Sequence, residues 1–283
     1  MDRNDCGGDP LKKYSYLLIP EIRIQNANAQ PVWWIVGPPA ITAYMGFCIG
    51  LGRTVGIVPD GVAILHHDIS FVGEAIHGSF RPSQFKSVSF VNAHDYIAGT
   101  TSLSSQPTAR CHQTVSLVIR FEIGSVSDDA LLKFLRNGRL SGGDILDNGR
   151  PVLLREGEES VLTEMEKIGR THWSISDRSD LMVRENGDRD NLDTLLRLTR
   201  RNGISPVHSW LMPSMVGYSE ISSRKYRNNV RGGMLHAYAE PIVGLVQFNV
   251  LRDVGLQFWS PSYPMRGVFL YAVETKQQLK EVL

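Results

Sequence analysis

Apolar positions follow two different periods along this chain, and segments with each period alternate. Residues 14–26 begin with a continuous apolar run and then alternate, a pattern that predicts a strand with one fully buried half. Residues 114–123, TVSLVIRFEI, are rich in β-branched residues and give the clearest strand prediction. Residues 41–51 carry apolar positions at helical spacing, so we predict a helix there, with Gly50 and Gly52 marking its end.

A second helix is predicted from the residues that flank it. Ser127 is a good N-cap, Asp128 and Asp129 suit the positive end of the helix dipole, and Gly138 is a good C-cap. Shorter strand patterns cover residues 61–67, 85–91 and 145–146. The order strand, helix, strand, strand, helix, strand over residues 14–148 is typical of a ferredoxin-like or RNA-recognition-motif core.

The composition changes after Gly149. Residues 155–193 are rich in acids and arginines, a helix is predicted near residues 191–201, and strand patterns return over residues 209–218, 234–250 and 268–273. We therefore predict an α+β fold. Its parts are a flexible N-terminal tail (1–13), an RNA-recognition-motif-like core (14–148), a variable insertion (149–205) and a β-rich C-terminal part that packs on the core (206–283).

Composition places the chain among ordinary folded proteins, because 42% of its 283 residues are hydrophobic and 21% are charged. The net charge of +1 gives no global argument for a nucleic-acid partner, so that argument rests on local charge. Cys6, Cys48 and Cys111 are scattered and form no CxxC pair, which favours reduced thiols in a cytosol.

The longest mostly apolar stretch, residues 32–51, is split by Pro38 and Pro39. The helical part that remains is too short to cross a bilayer. The first residues, MDRNDCGGDP, lack the apolar core of a signal peptide. We therefore expect a soluble cytoplasmic protein.

Local positive charge concentrates between residues 197 and 231, where Glu220 is the single acid. The basic residues are Arg197, Arg200, Arg201, Arg224, Lys225, Arg227 and Arg231. Tyr218 and Tyr226 lie among them, and arginine with aromatic neighbours suits phosphate binding and base stacking. The alternative is a solvated face that the preceding acidic stretch balances in space.

Two further segments carry polar groups in unusual positions. Gln25, Asn26 and Asn28 end an otherwise apolar strand, where they either tie the fold together or face a ligand rich in hydrogen-bonding groups. A glycine loop follows Arg139 and contains Ser141, Gly142 and Gly143. Its backbone N–H groups can approach a phosphate closely, although a capping turn is the commoner use of such a loop.

No metal or cofactor site is expected. His66, His67 and Asp68, with Cys111 and His112 elsewhere, fit no ligand spacing, and adjacent histidines on a strand point to opposite faces. The chain also lacks a catalytic signature of the GxSxG or HExxH type and a P-loop or dinucleotide fingerprint.

Four ordered segments resemble the Csy-two family, the Cas-five-like subunit of type I-F CRISPR surveillance complexes. The first two, which are the specific ones, are LIPEIRIQNANA (residues 18–29) with Gly46-Phe47, and RLSGGDIL (residues 139–146). The others are WLMP (210–213) with Gly217-Tyr218, and residues 240–248 followed by Trp259-Ser260-Pro261. Residues 71–109 and 149–205 do not match the family pattern.

This resemblance implies a non-catalytic subunit with an RNA-recognition-motif core that grips the 5′ handle of the CRISPR RNA (crRNA) and caps the backbone filament. The implied partners are a large Cas-eight-like subunit and a Cas-seven-like backbone subunit. Whether this chain also contacts target DNA near the protospacer-adjacent motif stays open. The residues implied to bind RNA are Gln25, Asn26, Asn28, Arg139, Ser141, Gly142, Gly143, Arg224, Lys225, Arg227 and Arg231.

Two alternative functions remain open. Lys225, Tyr226 and His236 are near one another in sequence, and such groups could serve a metal-independent endonuclease acting on precursor RNA. The other alternative is a pure protein scaffold, in which the basic segment faces an acidic partner.

Overall fold

The computed structural model describes residues 14–77, 79–83, 85–88, 105–122, 124–155, 157–185, 187, 189–200, 210–227 and 234–273. The predicted N-terminal tail, Arg201 and Arg231 lie outside the described residues.

Strands dominate the described residues. In chain order the strands are β1 (Tyr14–Asn28), β2 (Pro59–Phe71), β3 (Gly73–Ile76), β4 (Ser79–Pro82), β5 (Phe85–Val88), β6 (Ser105–Thr108), β7 (Arg110–Glu122), β8 (Arg139–Leu140), β9 (Gly143–Asp147), β10 (Val152–Leu154), β11 (Trp173–Asp177), β12 (Leu211–Glu220), β13 (Ala239–Val250), β14 (Phe258–Ser262) and β15 (Val268–Val273). The helices are α1 (Ile41–Val55), α2 (Asp128–Asn137), α3 (Glu158–Glu166), α4 (Asn191–Thr199) and α5 (Leu251–Val254).

The centre of the molecule is an antiparallel sheet in the order β2-β7-β1-β9. Helix α1 connects β1 to β2, and α2 connects β7 to the β8–β9 hairpin. The two helices contact each other and bury Tyr44, Leu51 and Leu135 in the main core. Between β2 and β7, the described residues also form the antiparallel pairs β3–β4 and β5–β6.

Alternation along β1 gives this sheet two buried faces. Leu17 and Ile19 enter the core under α1 and α2, whereas Tyr16 and Leu18 enter a second core on the opposite face. Side chains from α3 complete that second core. Because both faces are buried, the head of β1 reads as a continuous apolar run rather than as an alternating one.

Two irregularities interrupt β1 where its register with β7 shifts, between Ile19 and Ile22 and between Ile24 and Ala27. Glu21 and Asn26 occupy them with φ of 48° and 59°. Each backbone N–H finds a side-chain acceptor on β7, Ser116 Oγ at 2.9 Å and His112 Nδ1 at 3.2 Å respectively. The bulges keep the apolar residues on the core side and turn the polar ones outward.

Residues after Gly149 add strands to the central sheet and helices that pack against the strands. Strand β10 pairs with β1, and β11 pairs with both β2 and β13. Helix α3 buries Val161 and Met165 completely against the sheet. Helix α4 packs Leu195 against Leu211 and Leu245. This segment therefore joins the core strands to the C-terminal strands.

The C-terminal strands close a ring on β2. Strand β14 pairs with β2 at Val62 and Ala63, and β11 pairs with the same edge at Leu65 and His66. The remaining pairings run β14–β15, β15–β12, β12–β13 and β13–β11. Trp259 is fully buried and donates its indole N–H to Ile175 O at 2.9 Å.

Helix α1 ends later than the glycines predicted. It continues to Val55 and ends at Gly56, which is in the left-handed region with φ of 86°. Gly52 serves a different purpose, because a Cβ there would lie 2.7 Å from Ile57 O. The prediction that Gly50 and Gly52 mark the helix end is therefore wrong. No helix among the described residues is both long enough and apolar enough to span a bilayer.

Candidate functional site

The glycine loop is the two-residue turn of the β8–β9 hairpin. Ser141 and Gly142 both have positive φ, 52° and 75°, which is the type I′ geometry that matches the twist of a hairpin. A Cβ at Gly142 would meet no atom within 4 Å, so this residue is needed for its backbone angle and not for space. The loop is therefore a tight turn with an open outer side.

The glycine loop and the amide block meet. Asn28 N donates to Ser141 O at 2.8 Å, and Gln25 pairs with Asp144. A Cβ at Gly143 would lie 2.6 Å from Ala27 N and 2.6 Å from Gln25 O. Only glycine allows the turn to lie directly against the second bulge of β1, so the two sequence motifs form one structural unit.

The amide side chains divide between the two roles that the sequence left open. Asn28 forms a local turn, in which Oδ1 accepts from Gln30 N at 3.0 Å and Nδ2 donates to Gln30 O at 3.3 Å. Gln25 and Asn26 are exposed at the bulge. Arg139 is also exposed beside this unit and pairs with Asp144 at 3.1 Å. Asn28 thus ties the backbone, while the other three side chains face solvent.

In the described part of the basic segment (residues 197–231), Arg224, Lys225 and Arg227 each contact another residue of the protein. Arg224 forms an ion pair with Glu220, and this carboxylate raises the pKa of the guanidinium. Lys225 forms an isolated backbone bridge with His236. The guanidinium of Arg227 lies over the Tyr238 ring, with Cζ 4.3 Å from the ring centre. The structure thus uses aromatic and acidic neighbours to orient these cations.

Arg224 lines an open groove of about 790 Å³ that sequence reasoning did not define. Arg266, from the turn before β15, lines the same groove and is exposed. Its aromatic wall contains Tyr263 and Phe269, whose ring centres are 5.2 Å apart. Phe269 in turn meets Tyr271 edge-on at 4.8 Å, and burial raises the pKa of that tyrosine to about 12. The groove combines guanidinium groups with closely packed aromatic rings.

Tyr218 connects this groove to the amide and glycine unit. Its side chain lines the groove and also a smaller cavity of about 230 Å³, which Asn28 and Ser141 line from the other side. Tyr218 therefore lies between the groove and the cavity that Asn28 and Ser141 line. Sequence reasoning missed Tyr263 and Arg266, although the run SYPMRG at residues 262–267 places an aromatic and a cation beside turn residues as residues 218–224 do.

The histidine pair lies away from this surface, and its two rings point to opposite faces of β2 as predicted. His66 Nε2 lies 3.1 Å from Tyr44 Oη under α1, and His67 Nε2 lies 2.6 Å from Ser116 Oγ on the other face. Burial lowers the pKa of His66 to about 3 and that of His67 to about 4. Among the described residues no group of three or more histidine, cysteine or acidic side chains is arranged to hold a metal ion.

Comparisons with known proteins give one finding. The family model for CRISPR-associated protein (Cas_Csy2) matches residues 17–270, which covers the unit at β1, the glycine turn and both sides of the groove. A comparison with curated proteins gives no match.

Proposed function

The chain belongs to the Cas_Csy2 family of CRISPR-associated proteins, which points to a subunit of a Cascade complex, and from this premise we propose a specific role for it. The protein is a non-catalytic, crRNA-binding subunit of a type I-F-like complex. It grips the 5′ handle of the crRNA and caps the backbone filament. It works in the cytoplasm beside a large Cas-eight-like subunit and a Cas-seven-like backbone subunit.

The topology supports an RNA-recognition-motif core. The central sheet contains β1, β2, β7 and β9, which are its first, second, third and fourth strands along the chain. Across the sheet they lie side by side in the order fourth, first, third, second, and helices α1 and α2 form the two crossovers. That arrangement is typical of ferredoxin-like and RNA-recognition-motif cores. The β-rich C-terminal part is joined to it through the ring of strands on β2.

One face of this sheet is closed to RNA. Proteins with this core commonly stack bases on the open face of the sheet. Here α3 covers that face, and Val161, Met165 and Val118 are completely buried there. RNA recognition by this chain therefore takes place at the rim of the sheet, where the glycine turn and the C-terminal strands meet.

The observation that carries the proposal is that Tyr218 lines both the groove of Arg224 and Arg266 and the smaller cavity beside Asn28 and Ser141. Exposed amides and backbone turns at one end offer hydrogen bonds, and guanidinium groups with aromatic rings at the other end suit phosphates and bases. A single strand can lie along such a surface without opening the fold.

Exposed apolar residues on the segment between β1 and α1 support a protein partner. Trp33 is 82% exposed, and Trp34 and Val36 are exposed beside it. Val32 and Ile35 anchor the same segment in a small core. Large exposed apolar side chains on a fixed backbone favour a contact with another protein. We propose that these side chains contact the neighbouring subunits of the complex.

The salt dependence of RNA binding tests this proposal. We expect Arg224→Ala combined with Arg266→Ala to weaken binding of a labelled RNA that carries the CRISPR-repeat handle. Loss of two phosphate contacts should make the slope of log affinity against log salt shallower by about 1.4. The measurement is fluorescence anisotropy with the full chain at several salt concentrations.

Arg189→Ala combined with Arg184→Ala is the matched control. Arg189 pairs with Asp193 at the same spacing of four residues as Arg224 with Glu220, and it does not line the groove. The control variant should keep the parent affinity and slope. Parent values in the Arg224 and Arg266 variant would rule out these side chains as phosphate contacts.

One structural observation favours the endonuclease alternative. Lys225 and His236 face each other across their backbone bridge, with N···O distances of 3.0 and 2.9 Å, and exposed Tyr226 follows Lys225. Incubation of the chain with precursor RNA in EDTA decides between the two functions. We expect intact RNA at stoichiometric protein, whereas a product with a defined end would establish the enzyme.

A further inference from the structure

The second bulge of β1 is held from β7 by two side chains. Asn26 N donates to His112 Nδ1 at 3.2 Å, and Arg110 Nη1 donates to Asn26 O at 3.2 Å. Both polar backbone atoms of Asn26 are therefore bonded to side chains of the neighbouring strand, at a point where the bulge interrupts the regular ladder of backbone hydrogen bonds. His112 and Arg110 are themselves only partly exposed, on either side of buried Cys111.

These two contacts hold a backbone conformation that a residue with a Cβ adopts only under strain. Asn26 has a φ of 59°, in the left-handed region. Gln25 and Asn26 are both exposed there, whereas in a regular strand one of two consecutive side chains would turn inward. The two amides therefore depend on the bulge for their shared outward direction, and the bulge depends on His112 and Arg110.

His112 supports the bulge only while its imidazole is neutral. A backbone N–H can only donate, so Nδ1 of His112 accepts and carries no proton. Protonation, which histidine undergoes between about pH 8 and 5, turns Nδ1 into a donor that faces the Asn26 N–H. At the first bulge the Glu21 N–H bonds instead to Ser116 Oγ at 2.9 Å, and a hydroxyl accepts without titrating in this range. The bulge that exposes the amides is thus the one with a titrating acceptor.

Charged side chains lie on each strand beside His112, and they do not replace its acceptor. They are Arg110 on β7, Asp68 on β2, Arg23 on β1 and, one strand further, Asp144 on β9. Arginine stays charged throughout this range of pH. Of the two side chains that bond to the Asn26 backbone, His112 is therefore the one whose contact changes with pH.

We infer that His112 is a positioning residue, whose neutral imidazole acts with Arg110 to keep Gln25 and Asn26 in the orientation that binds RNA. The inference rests on the proposed function, because RNA is the ligand that these amides would serve. It goes further in giving β7 a role in recognition and in making RNA binding depend on pH.

The sign of this pH dependence distinguishes positioning from simple charge attraction. A histidine that gains a proton beside RNA ordinarily strengthens binding, because it adds a positive charge near the phosphates. Protonation of His112 instead removes the acceptor that holds Asn26 in the left-handed region. The fraction of the protein that is ready to bind falls, so binding should weaken as the pH decreases.

Fluorescence anisotropy with the full chain and a labelled RNA that carries the CRISPR-repeat handle measures this sign. We expect about fivefold weaker binding by the parent chain at about pH 5.5 than at about pH 7.5, at the same ionic strength. Circular dichroism at each pH confirms that the chain is folded. Unchanged or tighter binding at the lower pH would overturn the inference.

Two substitutions of His112 separate its role from a general effect of acid. In His112→Asn the side-chain oxygen can replace Nδ1 as acceptor and does not titrate, so parent affinity should be kept at both pH values. In His112→Phe a ring remains without an acceptor, so binding should be about fivefold weaker at both. His77→Asn is the matched control, because His77 is an exposed histidine with φ of 50° outside the bulge, and this variant should keep the parent's pH dependence.

Hydrogen exchange of the Asn26 amide, measured without RNA at one pH, tests the bulge independently of its ligand. This N–H should exchange faster in His112→Phe than in the parent and in His112→Asn. Equal exchange in all three chains, or equal weakening by acid in the parent and His112→Asn, would overturn the inference and leave the proposed function intact. Failure of the parent chain to bind the RNA would overturn both.

Discussion

At the scale of single residues, the glycine turn needs Gly143 for lack of space and Gly142 for its backbone angle. Gly143 is buried, and a Cβ there would collide with the backbone of β1 at 2.6 Å. Gly142 is exposed with φ of 75° and open space around it. A sequence shows the two glycines as equivalent, whereas the structure makes the first a packing residue and the second a turn residue.

The two glycines should therefore differ in their effect on stability. We expect Gly143→Ala to lower the free energy of unfolding by about 3 kcal/mol, because the backbone of β1 must move away. Gly142→Ala should cost only about 1 kcal/mol, the price of a left-handed alanine. Urea unfolding followed by circular dichroism measures both.

Gly46→Ala provides the control, since Gly46 lies on α1 with no atom within 4 Å of an added Cβ. This change should raise stability by about 0.5–1 kcal/mol, because alanine is the better helix former. Equal losses for Gly142→Ala and Gly143→Ala would contradict the packing role of Gly143.

At the scale of elements, a chain of hydrogen bonds fastens β11 and α3 to the central sheet. His172 Nε2 lies 2.9 Å from Met165 O, which can only accept, so this nitrogen carries the proton. In the neutral pair, His67 Nδ1–H then donates to His172 Nδ1 at 3.0 Å, and Ser116 Oγ–H donates to His67 Nε2. Each of these three hydrogen bonds has one donor and one acceptor when His67 and His172 are both neutral.

Acid should therefore loosen this attachment. Burial lowers the pKa of His67 to about 4 and also lowers that of His172, although Glu21 nearby opposes the second shift. Arg170, which pairs with Glu21, adds to the shift at His67. Both histidines bind protons more readily in the unfolded chain, where the usual value is about 6.5. Stability should thus fall as pH decreases from about 6.5 towards 4.

Urea midpoints at about pH 7 and about pH 5 test this. His172→Gln should be less stable at neutral pH but show a smaller loss on acidification, because one depressed pKa is removed. His77→Gln, at an exposed histidine, should keep the parent dependence. The same acid loss in His172→Gln as in the parent would exclude His172 as one of its sources.

Elements with strong local patterns were predictable from the sequence. Strand β15 lies at the predicted residues 268–273, β1 and α1 begin where predicted, and Ser127 caps α2 by accepting from Ala130 N. Strands β10 and β11 and helix α3 were missed. They are short, and their burial comes from β1, β2 and β13, which are distant in sequence, so no local period marks them.

At the scale of the whole molecule, long-range pairing creates the candidate site. The amide block and the glycine turn could each be singled out from sequence, but their contact depends on a bulge in β1 and on the register of β9. The groove needs the β12–β15 pairing, which brings Gly217 opposite Leu270 and so sets Arg266 beside Arg224. Such registers are set by the packing of the entire sheet, and a single sequence does not reveal them.

We propose above all that this chain holds crRNA within a Cascade complex. The most direct measurement is co-expression with neighbouring genes and a CRISPR array, pull-down on this chain, and sequencing of the RNA that copurifies. We expect short RNAs that share one repeat-derived 5′ end, together with a large subunit and several copies of a filament subunit. Protein partners recovered without RNA would contradict it and make the groove of Arg224 and Arg266 a contact between proteins.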